Sequence, residues 1–318
     1  MNKTTVAGWI TAAAVGLSMG YGGVAMAAAA PLVSPQWVAD HACKPGVVVL
    51  DVRSPVGGGG NYYTFLRGHV KCAVYSNYKK AGWRVKAHDV PGMLPPTAKL
   101  QKLIRSLGIN NGEHVVIYTA GTNALDMGSA TRVFWTFKVL GDNNVSIMNG
   151  GYAAYAAAKL PTARGADKSG GNGNFTAHFQ SRYLASEKDV DKALHEHGVT
   201  LVDNRPHSQY LGVVMPGMDK RAGTIPGAKN VPQSWLTVND GGKFRSVAQI
   251  KALYKYAGVP TSGKQINFCN TGHWASLGWF VSSQLLGNKN ASVYDGSMSQ
   301  WTRNAKLPVQ QRMKIAGN

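Results

Sequence analysis

One cysteine lies where this sequence could place a nucleophile. Cys269 follows residues 266–268, which have the composition of a buried strand, and precedes a short loop centred on Gly272 and the apolar repeat of a helix. Unpaired backbone N–H groups and the positive end of the dipole at a helix start favour an anion, and a thiolate is such an anion. The sequence therefore predicts Cys269 as the catalytic residue, against the alternative of an inert cysteine buried at a strand end.

The residues after this cysteine form a candidate anion-binding loop. Gly272 allows the backbone to curl so that several N–H groups converge. Asn270 and Thr271 either add donors or only shape the turn. His273 either supplies a charge that depends on pH, since an unperturbed imidazole titrates near neutrality, or points out of the loop. Trp274 is expected to pack or to gate at the start of the helix.

The other two of the three cysteines are candidates for a disulfide. Cys43 precedes the predicted strand 47–51, and Cys72 precedes the predicted strand 73–76. If these strands are parallel neighbours, both thiols lie at the same edge of a sheet. The sequence therefore predicts a Cys43–Cys72 disulfide, which leaves Cys269 as the unpaired thiol in an oxidising compartment.

These motifs belong to a pattern that the chain of 318 residues contains twice. Each half has an apolar strand that ends in an Asp-x-Arg motif, followed by a turn that contains glycine. An amphipathic helix closed by glycine comes next, and further strands follow, separated by turns that contain glycine. The matched segments are 48–55 and 200–206, 67–73 and 222–228, 100–108 and 250–258, 115–119 and 265–269, and 139–151 and 285–297. This alternation predicts two α/β domains, each a mainly parallel sheet flanked by helices.

Composition indicates the domain boundaries. The first residues combine Lys3, an apolar run, and the small residues Ala25 and Ala27, which is the pattern of a secretory signal peptide. Residues 161–180 are rich in Gly, Ser and Asn, as in a linker. The predicted order is a signal peptide at 1–27, a first domain at 32–162, a linker at 163–182 and a second domain at 183–312. We expect an exported protein, periplasmic or extracellular and without stable membrane insertion, with a retained N-terminal anchor as the alternative.

The formal charge of +19 is spread along the chain rather than gathered in one run. A field of this sign concentrates anions. The sequence has no basic run interleaved with aromatic residues and no nucleic-acid-binding motif, so we expect no nucleic-acid partner. Small sulfur or phosphorus oxyanions, or the surface of a cell envelope, suit an exported protein better, and adaptation to an acidic environment is the alternative explanation.

In order, spacing and duplication, the motifs resemble the tandem-domain rhodanese-like sulfurtransferases, the family of thiosulfate and 3-mercaptopyruvate sulfurtransferases, over essentially the whole mature chain. The resemblance is carried by Asp51 and Arg53, by Asp203 and Arg205, by the segments 68–70 and 223–228, and by the Cys-x-x-Gly-x-x-Ala loop of Cys269, Gly272 and Ala275. It implies two rhodanese-like domains and a persulfide mechanism, in which Cys269 takes a sulfane sulfur from a small anionic donor and passes it to a thiol or cyanide-like acceptor. It also implies a catalytically inactive first domain, where Thr119 stands at the position of Cys269.

The loop departs from the family pattern at residues that bear on the donor. Basic residues after the cysteine are common in thiosulfate-type members and Gly-Ser in mercaptopyruvate-type members, whereas this chain has Asn270 and Thr271. Gln209 stands where many members have an arginine. Asp203 is expected to orient the loop, and Arg205 is expected to be its structural partner, with direct binding of the donor as the alternative. Thiosulfate is the favoured donor, because an exported basic protein meets sulfur oxyanions. The candidates for recognising the donor anion are Arg205, Lys220, Arg221 and His273.

Other chemistries fit the residues less well. A cysteine-dependent phosphatase needs an arginine six positions after the cysteine, where this chain has Ala275. The His195-Glu196-His197 cluster lacks the spacing of a zinc site, and the glycines at 57–60 lack the Lys-Ser/Thr ending of a phosphate-binding loop. We therefore predict no metal and no cofactor. The remaining rival is a non-catalytic sulfur carrier of the cell envelope, which would hold a persulfide for a partner enzyme.

Overall fold

The computed structural model of the chain describes Met1 and residues 29–166 and 171–313. Except for Met1, the predicted signal peptide at 1–27 therefore lies outside the described residues. Within the described ranges, no helix combines the length and the apolar character needed to cross a membrane.

The first half alternates short strands and helices from the start. Its elements are β1 (Leu32–Val33), α1 (Pro35–His41), β2 (Val47–Asp51), α2 (Tyr62–Arg67), β3 (His69–Val70), β4 (Val74–Tyr75), β5 (Val85–Ala87), β6 (Val90–Met93), α3 (Thr97–Ser106), β7 (His114–Tyr118), α4 (Ala124–Val139), β8 (Val145–Met148), α5 (Gly151–Ala157) and β9 (Thr162–Ala163).

The second half follows the same plan. Its elements are β10 (Leu184–Ala185), α6 (Glu187–Ala193), β11 (Val199–Asp203), α7 (His207–Leu211), β12 (Lys229–Asn230), α8 (Val247–Tyr256), β13 (Lys264–Phe268), α9 (His273–Phe280), a π-helical turn (Val281–Leu285), β14 (Ala291–Tyr294) and α10 (Ser297–Trp301).

Each half is built around a five-stranded parallel sheet. The strand order is β1-β8-β7-β2-β4 in the first half and β10-β14-β13-β11-β12 in the second. The two orders correspond strand for strand, which confirms the predicted duplication and the predicted α/β class. The central strands β7 and β13 are buried along nearly their whole length, as expected for parallel strands covered on both faces.

The predicted disulfide is present. Strands β2 and β4 are parallel neighbours, with Leu50 opposite Val74, so the segments that precede them reach the same edge of the sheet. Cys43 and Cys72 are bonded there, with Cα atoms 5.5 Å apart. Cys269 is therefore left as the free thiol of the chain.

The two domains share one hydrophobic core. Helix α4 of the first domain is buried along nearly its whole length and packs against α9 of the second. The rings of Phe134 and Phe280 meet edge to face with centroids 4.9 Å apart, and the hydroxyls of Thr131 and Ser276 are hydrogen-bonded at 2.9 Å. A helix buried on all sides needs cover on more than one face, and α9 supplies part of that cover. The cleft between the domains is thus set by a continuous core.

The second part of the predicted linker packs on the first domain. Phe175 is buried, and its carbonyl oxygen accepts a hydrogen bond from Arg105 Nε at 2.7 Å. The backbone N–H of Asn174 donates to Asn110 Oδ1 at 2.9 Å, and the N–H of Gln180 donates to the carbonyl oxygen of Val139 at 2.7 Å. The chain therefore follows the surface of the first domain before it enters the second.

Across the cleft, a backbone N–H group of each domain donates to a side chain at the matching position of the other domain. The N–H of Leu94, which directly follows β6, donates to Asp295 Oδ2 at 2.6 Å. In the reverse direction, the N–H of Phe244 donates to Asn149 Oδ1 at 3.0 Å. Asp295 and Asn149 occupy matching positions in the repeat. The contact from the first domain places the β5–β6 hairpin beside the loop that contains Cys269.

Candidate active site

Cys269 lies at the carboxyl end of β13, near the middle of the second sheet. Its neighbours in the sheet are β11 and β14, and ligands of open α/β sheets bind outside this edge. The chain then turns at Gly272, which has a φ of +72° and caps the start of α9. A Cβ atom there would overlap Arg132 and Asp295, so this position needs glycine for space as well as for its backbone angle. Cys269 is only 1% exposed.

The hydroxyl of Ser297 holds the loop in shape. Its oxygen accepts hydrogen bonds from the N–H of Cys269 at 3.0 Å and from the N–H of Gly272 at 3.1 Å. It donates to the carbonyl oxygen of Tyr294 at 2.7 Å and lies 4.0 Å from the sulfur of Cys269. Ser297 is not among the site residues predicted from the sequence. The signal was present in the repeat, because the matching position in the first half is Gly151.

Four backbone N–H groups that follow Cys269 find no acceptor in the part of the chain that the structure describes. Within the described residues, no hydrogen bond from the chain engages the N–H groups of Asn270, Thr271, His273 and Trp274. The last two belong to the first turn of α9, where N–H groups lack a partner within the helix. Unengaged N–H groups and the positive end of the helix dipole favour a negative charge near the Cys269 thiol.

A small cavity of about 160 Å³ opens beside the thiol, between the domains. The first domain contributes three of the residues that line it, so both domains enclose the space beside the thiol. The lining residues are Val56, Arg84, Leu125, Met218, Cys269, Asn270, Thr271, His273 and Trp274. The loop residues predicted around the cysteine are thus brought together, and Trp274 packs on the shared core as expected of a packing aromatic.

The sequence suggested that His273 either supplies a pH-dependent charge or points out of the loop, and the structure shows neither. It is buried, with Nδ1 accepting from the hydroxyl of Tyr78 at 2.7 Å and Nε2 donating to the carbonyl oxygen of Leu125 at 2.7 Å. Burial, helped by the positive charges of Arg84 and Arg132, lowers the pKa of His273 to about 3. The imidazole is therefore neutral near neutral pH, and it connects the two domains instead of supplying charge or pointing outward.

Arg84 of the first domain reaches the loop of the second. Its Nη2 donates to the carbonyl oxygen of Thr271 at 2.6 Å, and its Nε donates to the carbonyl oxygen of Gly92 at 3.0 Å. Gly92 lies so close that a Cβ atom there would overlap the guanidinium. Arg84 is not among the residues predicted from the sequence, because nothing in its local spacing indicates which part of the other domain it contacts.

Arg132 of the first domain also holds the loop that contains Cys269 and Gly272. It is fully buried, pairs with Asp295 Oδ1 at 2.5 Å, and donates from Nη1 to the carbonyl oxygen of Gly272 at 3.1 Å. Its guanidinium also stacks over the ring of Trp135, with Cζ 4.5 Å from the ring centroid. Because a carboxylate neutralises it, Arg132 positions the loop without giving the cavity a net charge.

Comparison with known proteins agrees with this geometry. The sequence profile of the rhodanese-like domain matches residues 34–158 and again residues 186–304. The chain belongs to the rhodanese-like family. At the level of that family it is a sulfurtransferase enzyme.

Three curated relatives of this rhodanese-like chain carry different names. A 3-mercaptopyruvate sulfurtransferase of Escherichia coli (strain K12) is 29% identical over 284 residues, which cover 87% of this chain and 97% of the relative. A putative thiosulfate sulfurtransferase of Haloferax volcanii is 33% identical over 218 residues, covering 66% and 73%. A sulfur carrier protein of Thermus thermophilus is 29% identical over 290 residues, covering 87% and 95%.

A solved structure supports the same assignment. The crystal structure of SseA from Escherichia coli, described as showing the rhodanese fold of 3-mercaptopyruvate sulfotransferases, superposes with a TM-score of 0.71 at 27% identity. The match covers 85% of this chain and 99% of that one. Both halves of the chain therefore have the rhodanese fold.

The Asp-x-Arg pair of the second rhodanese domain makes its hydrogen bonds within that domain. Arg205 Nη2 donates to Asp203 Oδ2 at 2.6 Å and to the carbonyl oxygen of Gly223 at 2.7 Å, and Asp219 lies 3.4 Å from Nη1. The first domain repeats this arrangement, since Arg53 donates to Asp51 at 2.6 Å and to the carbonyl oxygen of Gly68 at 2.9 Å. The pair is buried and does not line the cavity.

The other cations proposed from the sequence also lie outside the cavity lining. Arg221 donates to the backbone carbonyl oxygens of Trp301, Thr302, Asn304 and Leu307, so it holds the C-terminal segment. Lys220 is exposed. Gln209 accepts a hydrogen bond from Asn270 Nδ2 at 2.9 Å, which places a neutral amide beside the loop.

The matching loop of the first rhodanese domain is filled by its own carboxylate. Its backbone is held as in the second domain: Tyr152 N–H donates to the carbonyl oxygen of Thr119 at 2.8 Å, as Met298 N–H donates to that of Cys269 at 2.9 Å. Asp126, however, accepts from the N–H of Gly121 at 2.6 Å and of Thr122 at 3.2 Å. This loop thus has no thiol, and a carboxylate already occupies N–H groups that could hold an anion.

Proposed function

We propose that the chain transfers sulfane sulfur through a persulfide on Cys269, with thiosulfate as the donor. The thiolate attacks the outer sulfur of thiosulfate, a new S–S bond forms to Cys269, and the S–S bond of the donor breaks with release of sulfite. A thiophilic acceptor such as cyanide then takes the terminal sulfur as thiocyanate, and the electron pair of the broken bond returns to the cysteine as thiolate. No oxidant or reductant is consumed.

The observation that carries this proposal is the free thiol beside four unengaged loop N–H groups. A persulfide is an anion at neutral pH, and convergent N–H donors stabilise an anion without a charged side chain. Such donors are worth more where water is excluded, and Cys269 is almost completely buried. The unengaged N–H groups therefore suit the persulfide intermediate as well as the attacking thiolate.

The cavity supports a small anionic donor. A volume of about 160 Å³ leaves room for a small molecule but not for a folded partner at the thiol. The positive formal charge of +19 raises the local concentration of anions. The Haloferax relative named as a putative thiosulfate sulfurtransferase agrees with this donor class.

We further propose that the protein acts after export. The N-terminal sequence has the pattern of a secretory signal peptide, and a disulfide joins Cys43 and Cys72. Disulfides persist mainly in oxidising compartments. The periplasm or the extracellular space would keep this pair oxidised while leaving the buried Cys269 unpaired.

A sulfur-carrier role is the second candidate. The Thermus relative is named a sulfur carrier protein, and the apolar side chains of Val214, Met215 and Met218 are exposed on the segment that reaches the cavity. An exposed apolar segment of this kind could receive a partner protein. A carrier would hold its persulfide stably and release it only to that partner.

The test combines sulfur loading with turnover. The wild-type protein incubated with thiosulfate should gain the mass of one sulfur atom, and cyanide should remove it as thiocyanate. Cys269→Ser should neither load nor turn over, whereas the control variant Cys43→Ala/Cys72→Ala should load like the wild type, because that pair is not the nucleophile. Undiminished transfer by Cys269→Ser would overturn the proposal, and a stable persulfide with negligible turnover on cyanide and thiols would favour the carrier.

A further inference from the structure

The cavity beside Cys269 contains one cationic side chain, and it comes from the first domain. Among the residues that line this cavity, Arg84 is the only lysine or arginine, and none of the lining residues is acidic. Within the described part of the chain, no carboxylate lies within ion-pair distance of its guanidinium. The cavity therefore has a positive charge that the protein does not neutralise.

Two of the three nitrogens of the Arg84 guanidinium donate hydrogen bonds to the chain. Its Nε and Nη2 donate to the carbonyl oxygens of Gly92 and Thr271, which fixes the plane of the group. The guanidinium also lies beside Tyr78, with Cζ 5.9 Å from the ring centroid, and no hydrogen bond from Nη1 is found among the described residues. A planar arginine with free N–H donors is suited to binding an oxyanion through two hydrogen bonds.

Among the described residues, the other cationic groups near this loop, from either domain, are already engaged. Arg205 is paired with two carboxylates, and Arg132 is paired with Asp295. His273 is neutral and already uses both ring nitrogens in hydrogen bonds. Gln209, at the position where an arginine was expected, presents only an amide.

We propose that Arg84 binds the anionic end of the sulfur donor, so that the first domain supplies the donor-recognition residue for the thiol of the second. This inference rests on the proposed function, because it requires a donor that reaches Cys269. The sulfonate oxygens of thiosulfate would accept from the free Nη1 hydrogens, while the outer sulfur faces the thiolate. A carboxylate donor such as 3-mercaptopyruvate shares this chemistry but carries less charge.

Three variants test this role. Arg84→Met removes the charge at similar volume, Arg84→Lys keeps the charge without the planar fork, and Gly92→Ala displaces the guanidinium without removing it. Lys86→Met is the matched control, because Lys86 lies on the same hairpin, is exposed, and loses the same unit of charge.

The expected result separates binding from chemistry. Arg84→Met should raise the KM for thiosulfate on the order of tenfold to a hundredfold, with a smaller increase for 3-mercaptopyruvate. Arg84→Lys should recover part of the loss, Gly92→Ala should resemble Arg84→Met, and Lys86→Met should match the wild type. The salt dependence of the KM for thiosulfate should also weaken in Arg84→Met. At saturating thiosulfate, persulfide should still form on Cys269.

Other results would overturn the role of Arg84 without touching the proposed function. A wild-type KM in Arg84→Met, with loading still abolished in Cys269→Ser, would remove Arg84 from donor recognition. Equal losses of kcat for every donor, without a change in KM, would assign Arg84 only to holding the loop. Transfer that survives in Cys269→Ser would instead contradict the proposed function itself. Thermal unfolding of each variant identifies any that fail to fold, and Gly92→Ala with Arg84→Lys keeps the test decisive if Arg84→Met is one of them.

Discussion

The hydroxyl of Tyr78 in the first domain donates a hydrogen bond to Nδ1 of His273 in the second, at 2.7 Å across the cleft. Burial raises the pKa of Tyr78 and lowers that of His273, so both groups are neutral near neutral pH. The proton on Nε2 is committed to the carbonyl oxygen of Leu125. One neutral side chain therefore joins two separate points of the first domain to the start of α9.

This arrangement predicts a specific loss of stability in acid. The pKa of His273 is about 3 in the folded protein and near 6.5 when the chain unfolds, so below pH 6.5 the unfolded state binds the extra proton. The contribution is complete above about pH 6.5 and is lost progressively as the pH falls towards 3. In urea unfolding, His273→Gln should show a shallower decline over this range than the wild type. The exposed His195→Gln is the control and should keep the wild-type slope; equal slopes for all three proteins would contradict the prediction.

Replacing Ser297 with glycine should loosen the loop. Ser297→Gly copies the residue found at the matching position of the first domain, Gly151, and leaves the N–H groups of Cys269 and Gly272 without their acceptor. Buried donors without a partner cost about 1–3 kcal/mol, so the free energy of unfolding should fall by this order. Single-turnover measurements should also show slower persulfide formation.

A matched control measures separately how glycine at a positive φ changes stability. Ser297 has a φ of +49°, which glycine adopts more easily, so any backbone effect of the substitution is stabilising. Asn239→Gly changes an exposed residue with a φ of +52° and should leave stability unchanged or slightly higher. An unchanged rate and stability in Ser297→Gly would mean that its hydroxyl does not organise the loop.

The buried ion pair across the cleft should be costly to break from one side. Arg132→Met leaves the carboxylate of Asp295 buried without its cation and should lower the free energy of unfolding by about 3–5 kcal/mol. The double variant Arg132→Met/Asp295→Asn removes both charges and should lose less than Arg132→Met alone. Urea unfolding measures both values. A double variant less stable than the single one would show that the pair is not coupled in this way.

The first domain should not become active simply by gaining a cysteine. In a Cys269→Ser background, Thr119→Cys should remain unloaded by thiosulfate, because the carboxylate of Asp126 occupies the N–H groups of Gly121 and Thr122 and repels a second anion. Adding Asp126→Ser introduces the residue of the matching position, Ser276, and should be required for any loading of the introduced thiol. Intact-protein mass measures whether a sulfur atom is added. Loading of Thr119→Cys without Asp126→Ser would contradict the prediction.

Local and repeated features were predictable from the sequence. Apolar runs indicated the strands, and the two copies of the pattern allowed each half to be compared with the other. The parallel pairing of β2 and β4 follows from the α/β pattern, and it accounts for the disulfide between Cys43 and Cys72. The position of Cys269 before a helix start follows from the same local rules.

Contacts between the domains could not be predicted in this way. Tyr78 and His273 are 195 positions apart in the sequence, and Arg84 lies 187 positions from the carbonyl group it contacts. Periodicity indicates that a face is buried but not which residue of another domain covers it. For this reason the sequence assigned donor recognition to Arg205 and Arg221, whose partners turned out to be carboxylates and backbone carbonyls of their own domain.

The reciprocal contacts of Leu94 with Asp295 and of Phe244 with Asn149 have a consequence for biosynthesis. The loop of Cys269 meets Arg84, Tyr78 and Leu125 only after both halves have folded and docked. A chain in which the halves have not docked contains the thiol but lacks the first-domain residues that enclose it and supply a positive charge beside it. The complete site therefore exists only when both halves are folded and docked, because each half contributes residues to it.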